Sequence, residues 1–371
     1  MKIEEIRLRR VKLDLVEPFA PSFGTLYDKD ILIVEVYADG LVGYGECPAL
    51  SWPLYNEETV YTAQAIIENY ICPLLKKLGD ITDPYDISKA FAHIRRNFFA
   101  RSAIETAIFD LFSKKAHSKL YQYIGGVRDK VKVGISIGIK DTPDELVESI
   151  NKFKSQGYSR FKIKIKPQYD LKYLEKVREV FPDIKLQVDA NSAYTLDDIE
   201  ILKALDNFNL ILIEQPLSFD DIVFHSELQK KIKTPICLDE CIDSIDDAKK
   251  ALKLRACKII NIKVARVGGL ANAKSIASLC EKHDVGVWCG GMLETDIGQA
   301  YNIASASLKN YIYENDIMSS YTYFKDNLTC EEFVVNKDST INLPQNTGSG
   351  VHVSLDKLNH YTQSYKCIKL R

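Results

Sequence analysis

The sequence predicts an α/β protein in which a (β/α)8-type barrel, a modified TIM barrel, carries an α+β capping domain formed by the N-terminal region and the C-terminal tail. The first observation is a repeat of short apolar runs that each end in a charged residue: Lys164, Asp189, Glu214, Asp239 and Lys263. Successive members lie 25, 25, 25 and 24 residues apart, which suits one strand, one helix and two turns of a parallel barrel. The second observation is the length of 371 residues, which exceeds a barrel of about 250 residues by roughly 120.

The domain order follows from the hydrophobic patterns along the chain. Residues 1–125 should form the capping domain, because the alternating segments IEEIRLRRVKLDL, DILIVEVYAD and GLVGYGECPAL precede helical patterns. Residues 126–320 should form the barrel. Residues 321–371 are too many for one more barrel unit, so we expect them to return to the capping domain.

Two turns and one loop interrupt the predicted strands of the capping domain. The turns are expected at Asp39-Gly40 and at Gly43. The loop EPFAPSFGTLYDKD suits neither a strand nor a helix, because it contains two prolines and a glycine, and we expect it to be mobile. Its Phe19 and Phe23, with Tyr55, offer an apolar lid that excludes water from a site.

The barrel is expected to begin at KVKVGISIGI, after the turn Gly125-Gly126, and its first strand should carry Ser136 to the mouth. The second strand, FKIKIK, places Lys162, Lys164 and Lys166 on one face of the pleat. Lysines inside a packed barrel are costly. They therefore face outward against helices, or at least one of them lies at the polar rim.

The predicted barrel helices have recognisable ends. Thr195 and Ser244 are predicted N-caps, and Gly157 is a predicted glycine just beyond a helix C-terminus. Gly268-Gly269 should form a turn, and Gly290-Gly291 should lie at the mouth, where a ligand can approach the backbone.

Composition excludes several classes of function. A net charge of −2 without a block of like charge gives no reason to expect a nucleic-acid or membrane partner. The N-terminal segment does not resemble a signal peptide, and no apolar stretch reaches the 18 or so residues of a membrane span. The nine cysteines form no C-x-x-C pair. They are expected to be reduced, buried thiols of a cytoplasmic protein.

The repeated charges point to chemistry at one end of the barrel. Strand C-terminal ends share one mouth, so three carboxylates and two lysines should converge there. Clustered carboxylates raise one another's pKa or bind a cation, and oxygen donors with water suit Mg²⁺. A lysine beside a metal-bound substrate can act as a general base, and Lys162 would assist Lys164 by like charge. The pattern predicts removal of a proton next to a carboxylate, with Mg²⁺ stabilising the enediolate.

Each of these residues has a plainer explanation when taken alone. A single acidic residue at a strand end is more often a helix N-cap or a turn residue than a ligand, but three in phase favour a site. Lys263 alone would be explained by a surface salt bridge. Asn191 is explained by an Asx turn or by a contact to the metal site, and Arg266 by a loop cation unless it meets the far end of the substrate.

The chain resembles the enolase superfamily, muconate lactonizing enzyme subgroup, in five ordered motifs: KIK at 162–164, VDAN at 188–191, IEQP at 213–216, LDE at 238–240 and NIK at 261–263. The segments NIKVARVGG and WCGGMLET are most similar to the o-succinylbenzoate synthases, a group that also includes N-acylamino acid racemases. The resemblance covers nearly the whole chain. It departs at Lys166, where an acidic residue is expected, and at Cys241, where serine is expected.

The resemblance implies a set of roles. Mg²⁺, or Mn²⁺ in its place, would bind Asp189, Glu214 and Asp239. Lys164 and Lys263 would be catalytic on opposite faces of a small carboxylate substrate, with Lys162 beside them. A further set would bind the substrate or support the site: Ser136, Asn191, Arg266, Gly291, Met292, Phe19, Phe23 and Tyr55. We also expect a homo-oligomer.

Several reactions fit one such site. In dehydration to o-succinylbenzoate, a step of menaquinone biosynthesis, Lys164 alone takes the proton and Lys263 assists as a cation. In racemisation of an N-acylamino acid, both lysines exchange protons, because inversion requires delivery opposite to abstraction. We favour the synthase, with the racemase as the close alternative. A dipeptide epimerase is less favoured because no D-x-D follows VGVWCGG, and a muconate cycloisomerase because GGMLET resembles the synthases better. A binding protein without activity would be expected to have lost a ligand or a lysine.

Overall fold

The computed structural model describes residues 1–370, which form two sheets of functional importance and a small third one. The strands in chain order are β1 (Glu5–Phe19), β2 (Leu26–Ala38), β3 (Leu41–Cys47), β4 (Lys130–Lys132), β5 (Ile135–Ile137), β6 (Arg160–Lys164), β7 (Lys185–Asp189), β8 (Ile213–Glu214), β9 (Ile236–Leu238), β10 (Ile259–Ile262), β11 (Gly286–Cys289), β12 (Thr340–Asn342) and β13 (Thr362–Lys369).

The α-helices connect these strands and cover both sheets. They are α1 (Val60–Ile66), α2 (Cys72–Leu78), α3 (Tyr85–Ala90), α4 (Phe98–Lys115), α5 (Leu120–Tyr123), α6 (Pro143–Ser155), α7 (Leu171–Val180), α8 (Ile199–Ala204), α9 (Val223–Gln229), α10 (Ile245–Leu254), α11 (Leu270–Glu281), α12 (Asp296–Ala306) and α13 (Leu355–Tyr361). A π-helical turn, Ile67–Ile71, joins α1 to α2, and short 3₁₀ turns cover Phe91–His93, Leu196–Asp198 and Leu205–Phe208. Within residues 1–370, no helix has the length and apolar character needed to span a membrane.

The capping sheet is antiparallel with the order β13-β1-β2-β3. Strand β13 pairs with β1, with Glu5 opposite Lys369, so this sheet contains segments from both ends of the chain. The predicted Asp39-Gly40 turn is confirmed, since both residues have left-handed backbone angles (φ 52° and 76°) between β2 and β3. These angles fit the tight hairpin turn in which two residues have positive φ.

Two expectations for the capping sheet were wrong. Gly43 is not in a turn but inside β3, opposite Val36. A Cβ there would lie 2.0 Å from the Ala107 carbonyl oxygen, so the glycine permits close packing of α4 on the sheet. The loop between β1 and β2 is also shorter than predicted, because β1 continues to Phe19 and β2 begins at Leu26.

The second sheet is the barrel. Its seven strands, β5 to β11, are parallel and pair in chain order, which confirms the predicted (β/α)8-type architecture. Residues 311–316 fill the eighth position without forming a regular strand. Val287 makes a parallel bridge to Tyr311 on one side of this segment, and Val133 makes one to Asn315 on the other. The ring is therefore closed by residues 311–316, which form backbone bridges to β11 on one side and to Val133, just before β5, on the other.

The first predicted barrel strand is divided in two. Strand β4 leaves the barrel and pairs antiparallel with β12, whereas β5 pairs with β6 inside it. Gly134 lies at the break, where a Cβ would approach the Arg160 Nε atom to 2.2 Å. The chain bends there because the buried Arg160 guanidinium occupies the space beside its backbone.

The predicted helix caps occur as expected. The Thr195 and Ser244 hydroxyls accept hydrogen bonds from first-turn backbone N–H groups. Gly157, which follows α6, has φ 101°. Gly268 and Gly269 have φ values of 82° and 118° and turn the chain from β10 into α11. Such angles favour glycine over other residues.

Candidate active site

Three carboxylates lie at the C-terminal ends of three neighbouring barrel strands. Asp189 ends β7, Glu214 ends β8 and Asp239 directly follows β9. Asp189 and Glu214 are partners in the strand register. All three side chains are at most 1% exposed. Their placement follows from the repeat, because each unit delivers its charged residue to the same end of the barrel.

Lysines and an amide surround the first two carboxylates. Lys164 Nζ lies 2.5 Å from Asp189 Oδ2. Lys162 Nζ lies 3.3 Å from Asp189 Oδ2 and 2.9 Å from Glu214 Oε2. Asn261 donates a 2.6 Å hydrogen bond to Glu214 Oε1. Strand β6 thus delivers both of its lysines to the carboxylate cluster.

Asp239 has cationic partners of its own. Lys263 Nζ lies 2.9 Å from Asp239 Oδ2, and the Arg266 guanidinium contacts Oδ1. The Tyr55 hydroxyl donates a 3.2 Å hydrogen bond to Oδ1. Arg266 is 1% exposed and also donates to the carbonyl of Ile242. It is therefore not a loop cation but a buried partner of Asp239.

The pKa values of these groups reflect burial among opposite charges. Burial by itself would raise the pKa of Asp189, but the ammonium groups of Lys164 and Lys162 hold that pKa well below its ordinary value. Burial would lower the pKa of Lys162 and of Lys263, and negative charges around each hold both values above the ordinary one.

The donor set fits a hard divalent cation. Its three carboxylates offer only oxygen, which Mg²⁺ prefers. Three buried oxygens beside these carboxylates lack a hydrogen-bond partner within residues 1–370: Asp239 Oδ2, which has an ion-pair contact to Lys263, Glu240 Oε2 and Asn261 Oδ1. In the structure the ammonium groups lie between the carboxylates, and no three acidic, histidine or cysteine side chains of the described chain converge as a metal-holding group.

A pocket opens above these charges and is lined by two lysines and an apolar wall. The lining residues are Lys164, Lys263, Asn191, Phe19, Pro21, Phe23, Leu26, Leu50, Tyr55, Gly291, Met292 and Leu293. Lys162 lies deeper, 3% exposed and 2.6 Å from Asp316. Of the three lysines predicted to be catalytic, Lys164 and Lys263 therefore face the pocket, and Lys162 contacts the carboxylates from below.

Most of the expected substrate-binding residues meet at this pocket. Asn191 has φ 41°, its side-chain oxygen accepts from Lys164 at 2.9 Å, and its amide donates to Glu240 at 2.9 Å. It thus combines a turn conformation with a contact to the site. Ser136 lies on β5 beside Lys162 in register and lines a neighbouring cavity with Phe19, not the pocket itself.

The two departures from the family pattern lie beside the pocket, not in it. The Lys166 ammonium lies 4.9 Å from the centre of the Tyr169 ring. The Cys241 thiol donates to Gln215 Oε1 over 3.5 Å, and Gln215 also accepts from the Asp239 backbone N–H. Cys241 therefore replaces a hydroxyl donor with a weaker thiol donor next to a carboxylate of the site.

Sequence reasoning missed three residues of the site. Asn261 is a polar residue inside the apolar strand β10, and this interruption alone could have indicated it. Arg160 and Asp316 form a buried ion pair of 2.6 Å below Lys162. Asp316 belongs to the irregular segment that closes the ring, for which the sequence has no strand pattern.

A larger cavity of about 540 Å³ lies away from the pocket, and two of its lysines contact carboxylates within it. Lys130 contacts Asp338 and Lys185 contacts Glu314, each at 2.5 Å. The lining of this cavity includes two carboxylates, Glu314 and Asp338, and both already contact lysines, whereas three carboxylates lie together at the strand ends.

Two domain models of known protein families match most of the chain. Residues 145–357 match the family model described as enolase C-terminal domain-like, and residues 3–125 match the mandelate racemase / muconate lactonizing enzyme N-terminal domain. An o-succinylbenzoate synthase of Geobacillus kaustophilus is 45% identical over 99% of this chain and 97% of its own. An N-succinylamino acid racemase of Thermus thermophilus is 38% identical over 98% of both chains. A solved structure of an enolase superfamily member from Listeria innocua is 40% identical, covers 100% of both chains and has a TM-score of 0.96.

Proposed function

The chain belongs to the enolase superfamily, in the group of mandelate racemase and muconate lactonizing enzymes, and from this premise we propose that it forms o-succinylbenzoate by dehydration. It is an enzyme that acts on a small carboxylate. The substrate loses a proton from the carbon next to its carboxylate and then loses hydroxide. Relatives that align over nearly the full length of this chain are named for this reaction or for a racemisation.

One observation carries the proposal: the two pocket lysines lie across the barrel from each other. Lys164 ends β6 and Lys263 follows β10, four positions apart in a ring of seven strands and one irregular segment. The three carboxylates occupy the three strand ends between them. A substrate carboxylate held beside those strand ends would therefore present one face of its α-carbon to each lysine.

Members of this superfamily generally depend on Mg²⁺, and Asp189, Glu214 and Asp239 are the residues that would hold it, or Mn²⁺ in its place. When bound, the ion would supply positive charge where negative charge develops on the substrate carboxylate. Glu240 and Asn191 would support it from outside, since Asn191 contacts both Glu240 and Lys164.

The chain's own residues account for the proton transfer. Lys164 takes the α-proton and is held for this by Asp189 and Asn191. The electron pair of the broken C–H bond first forms the enediolate. The enediolate then collapses, its electron pair becomes a carbon–carbon double bond, and the neighbouring C–O bond breaks. The leaving hydroxide takes the proton that Lys164 removed, so water departs and Lys164 returns to the neutral amine. Lys263 stabilises the enediolate as a cation, and the apolar wall keeps bulk water away.

Racemisation of N-succinylamino acids is the second candidate, and the position of Lys263 favours it. Its Nζ also faces the pocket, so protons can be exchanged on both faces of one α-carbon. A cation needed only for charge would not have to line the pocket opposite Lys164. Both activities are therefore proposed for the same site, with dehydration as the principal one.

The experiment compares the two reactions on one purified sample with added Mg²⁺. Dehydration is followed by the ultraviolet absorbance of o-succinylbenzoate formed from its hydrated precursor. Racemisation is followed by polarimetry on an N-succinylamino acid. We expect a higher kcat/KM for dehydration. No o-succinylbenzoate from a folded sample would refute the main proposal, and racemisation alone would make the second candidate the function.

We further propose that the enzyme is cytoplasmic and forms a homo-oligomer. The nine cysteines are unpaired, and seven of them are buried, which fits a reducing compartment. Light scattering on the purified protein measures the subunit number. A monomeric mass at micromolar concentration would contradict the proposed homo-oligomer.

A further inference from the structure

Lys29 is a buried cation that the proposed reaction does not use. It lies on β2 of the capping sheet, is 2% exposed, and its ammonium donates a hydrogen bond to the backbone carbonyl of Met292. Burial lowers its pKa to about 8, although the carboxylates of Glu294 and Glu46 attract the charge. A buried ammonium is costly unless it is compensated. Its contact with the backbone of the other domain indicates a positional role.

Met292 connects this hydrogen bond to the active site. Its sulfur lies 3.6 Å from Lys263 Nζ, and its side chain lines the pocket. Its backbone N–H donates a 2.7 Å hydrogen bond to Glu294. The two polar groups of the Met292 backbone are therefore both held by buried charged side chains. The thioether has little freedom to move relative to Lys263.

The capping sheet also contacts the far end of residues 292–295, the Met292 segment. Glu46, on β3, accepts hydrogen bonds from the backbone N–H groups of Thr295 at 3.0 Å and Gly298 at 2.9 Å. Residues 292–295 therefore lie between a lysine and a glutamate of the capping sheet. Since β2 and β3 are paired strands, one rigid sheet sets the distance between Lys29 and Glu46.

We infer that Lys29 is a positioning residue for Lys263: by holding the Met292 carbonyl, it sets the contact between the Met292 thioether and the Lys263 ammonium. This inference rests on the proposed function, in which Lys263 serves one face of the substrate. Lys164 is held by Asp189 and Asn191 instead, and neither belongs to the Met292 segment. Loss of Lys29 should therefore affect the two faces unequally.

The test uses Lys29→Leu, with Lys12→Leu as a matched control. Lys12 lies on the neighbouring strand β1, but it is 46% exposed and pairs only with surface Asp28. The first measurement is exchange of the α-proton for deuterium in each enantiomer of an N-succinylamino acid. The enantiomer that Lys263 serves is identified as the one whose exchange is lost in Lys263→Ala. The second is oxidation of Met292 by dilute peroxide relative to Met318, measured by peptide mass spectrometry.

In Lys29→Leu, exchange of the enantiomer served by Lys263 should fall at least about tenfold, because small displacements of a reacting group are costly. Exchange of the other enantiomer should stay near the wild-type rate, and Met292 should oxidise faster. Lys12→Leu should change neither measurement. Lys29→Arg, which keeps a donor and a charge, should recover most of the lost exchange.

Equal loss for both enantiomers would overturn the inference, and so would unchanged exchange together with unchanged Met292 oxidation. If the wild type exchanges neither enantiomer, the racemisation candidate fails, while the oxidation rate still decides whether Lys29 holds Met292. If Lys29→Leu does not fold, Met292→Leu replaces it, since it keeps the bulk and removes the sulfur. Unchanged exchange on the Lys263 side in that variant would overturn the inference.

Discussion

Replacing each pocket lysine by alanine tests the arrangement on which the proposed chemistry depends. Lys164→Ala removes the group that contacts Asp189 at 2.5 Å and Asn191 at 2.9 Å. Lys263→Ala removes the ammonium beside Asp239. Because the two strands lie across the ring from each other, each variant should abolish α-proton exchange for one enantiomer only.

The size of the effect depends on whether another amine can substitute for Lys164. Lys162 is the nearest candidate, but it contacts Asp316 at 2.6 Å, Glu214 at 2.9 Å and Asp189 at 3.3 Å. Breaking a buried ion pair costs roughly 3–5 kcal/mol, and about 1.4 kcal/mol is tenfold in rate. Rescue by Lys162 would therefore be at least about a hundredfold slower. Since a positioned base supplies about 10²–10⁴-fold, we expect Lys164→Ala to lose at least about a hundredfold in rate.

The assay is proton magnetic resonance of each N-succinylamino acid enantiomer in deuterium oxide, together with the rate of o-succinylbenzoate formation. Lys164→Ala should stop dehydration, whereas Lys263→Ala should leave a residual rate, because there its role is electrostatic. Lys166→Ala is the matched control, since Lys166 lies against Tyr169 away from the pocket. Wild-type exchange of both enantiomers by Lys164→Ala would refute the assignment of the base.

Three further predictions concern the metal, the lid and stability. Glu214→Gln should abolish turnover yet remain folded by circular dichroism, and full turnover of the wild type in excess chelator would contradict the metal assignment. Phe23→Ala should raise KM or lower kcat without changing which enantiomer exchanges, and unaltered kinetics for both reactions would exclude Phe23 from the lid. Burial raises the pKa of Glu105 to about 7, so its contribution to stability is complete below the unfolded value of about 4.5 and is lost as pH rises through 7. The wild type should accordingly lose roughly 3 kcal/mol more than Glu105→Gln between pH 4.5 and 7 in urea unfolding, and parallel pH curves would contradict this.

The barrel and its charged strand ends were predictable because one physical rule repeats. Each buried strand is an apolar run, and each run must end where the chain turns into solvent or a site, so a charged residue marks its end. Lys164, Asp189 and Glu214 obey this rule and are paired in the strand register. Because these charged residues recur at a constant interval, their place at the strand ends can be predicted without knowledge of any tertiary contact.

What the sequence could not indicate are contacts between segments distant along the chain. Gly43 appeared to be a turn residue because nothing near it in sequence shows that α4 packs against it. The ion pair of Arg160 with Asp316 joins residues 156 positions apart. Arg266 looked like a loop cation because its partner Asp239 belongs to the preceding repeat. In each case the residue type was set by a tertiary neighbour and not by local periodicity.

Two glutamates show how the capping domain and the barrel are held together. Glu105 on α4 accepts the backbone N–H groups of Leu270 and Ala271 at 2.8 and 2.9 Å, at the start of α11. Glu46 on β3 accepts the N–H groups of Thr295 and Gly298 at the start of α12. The first N–H groups of a helix have no partner within the helix, and the carboxyl oxygens of these two glutamates accept hydrogen bonds from them.

These two helices follow β10 and β11, the strands that lead to Lys263 and Met292. These two attachments therefore lie on the Lys263 side of the pocket, whereas Lys164 is positioned by Asp189 and Asn191, and the Ser22 hydroxyl donates to the Asn191 carbonyl. Loss of the Glu105 or Glu46 contacts should consequently alter proton transfer at Lys263 before it alters that at Lys164. Because dehydration needs only Lys164 as a base while racemisation needs both lysines, the ratio of the two activities should respond to contacts between the domains.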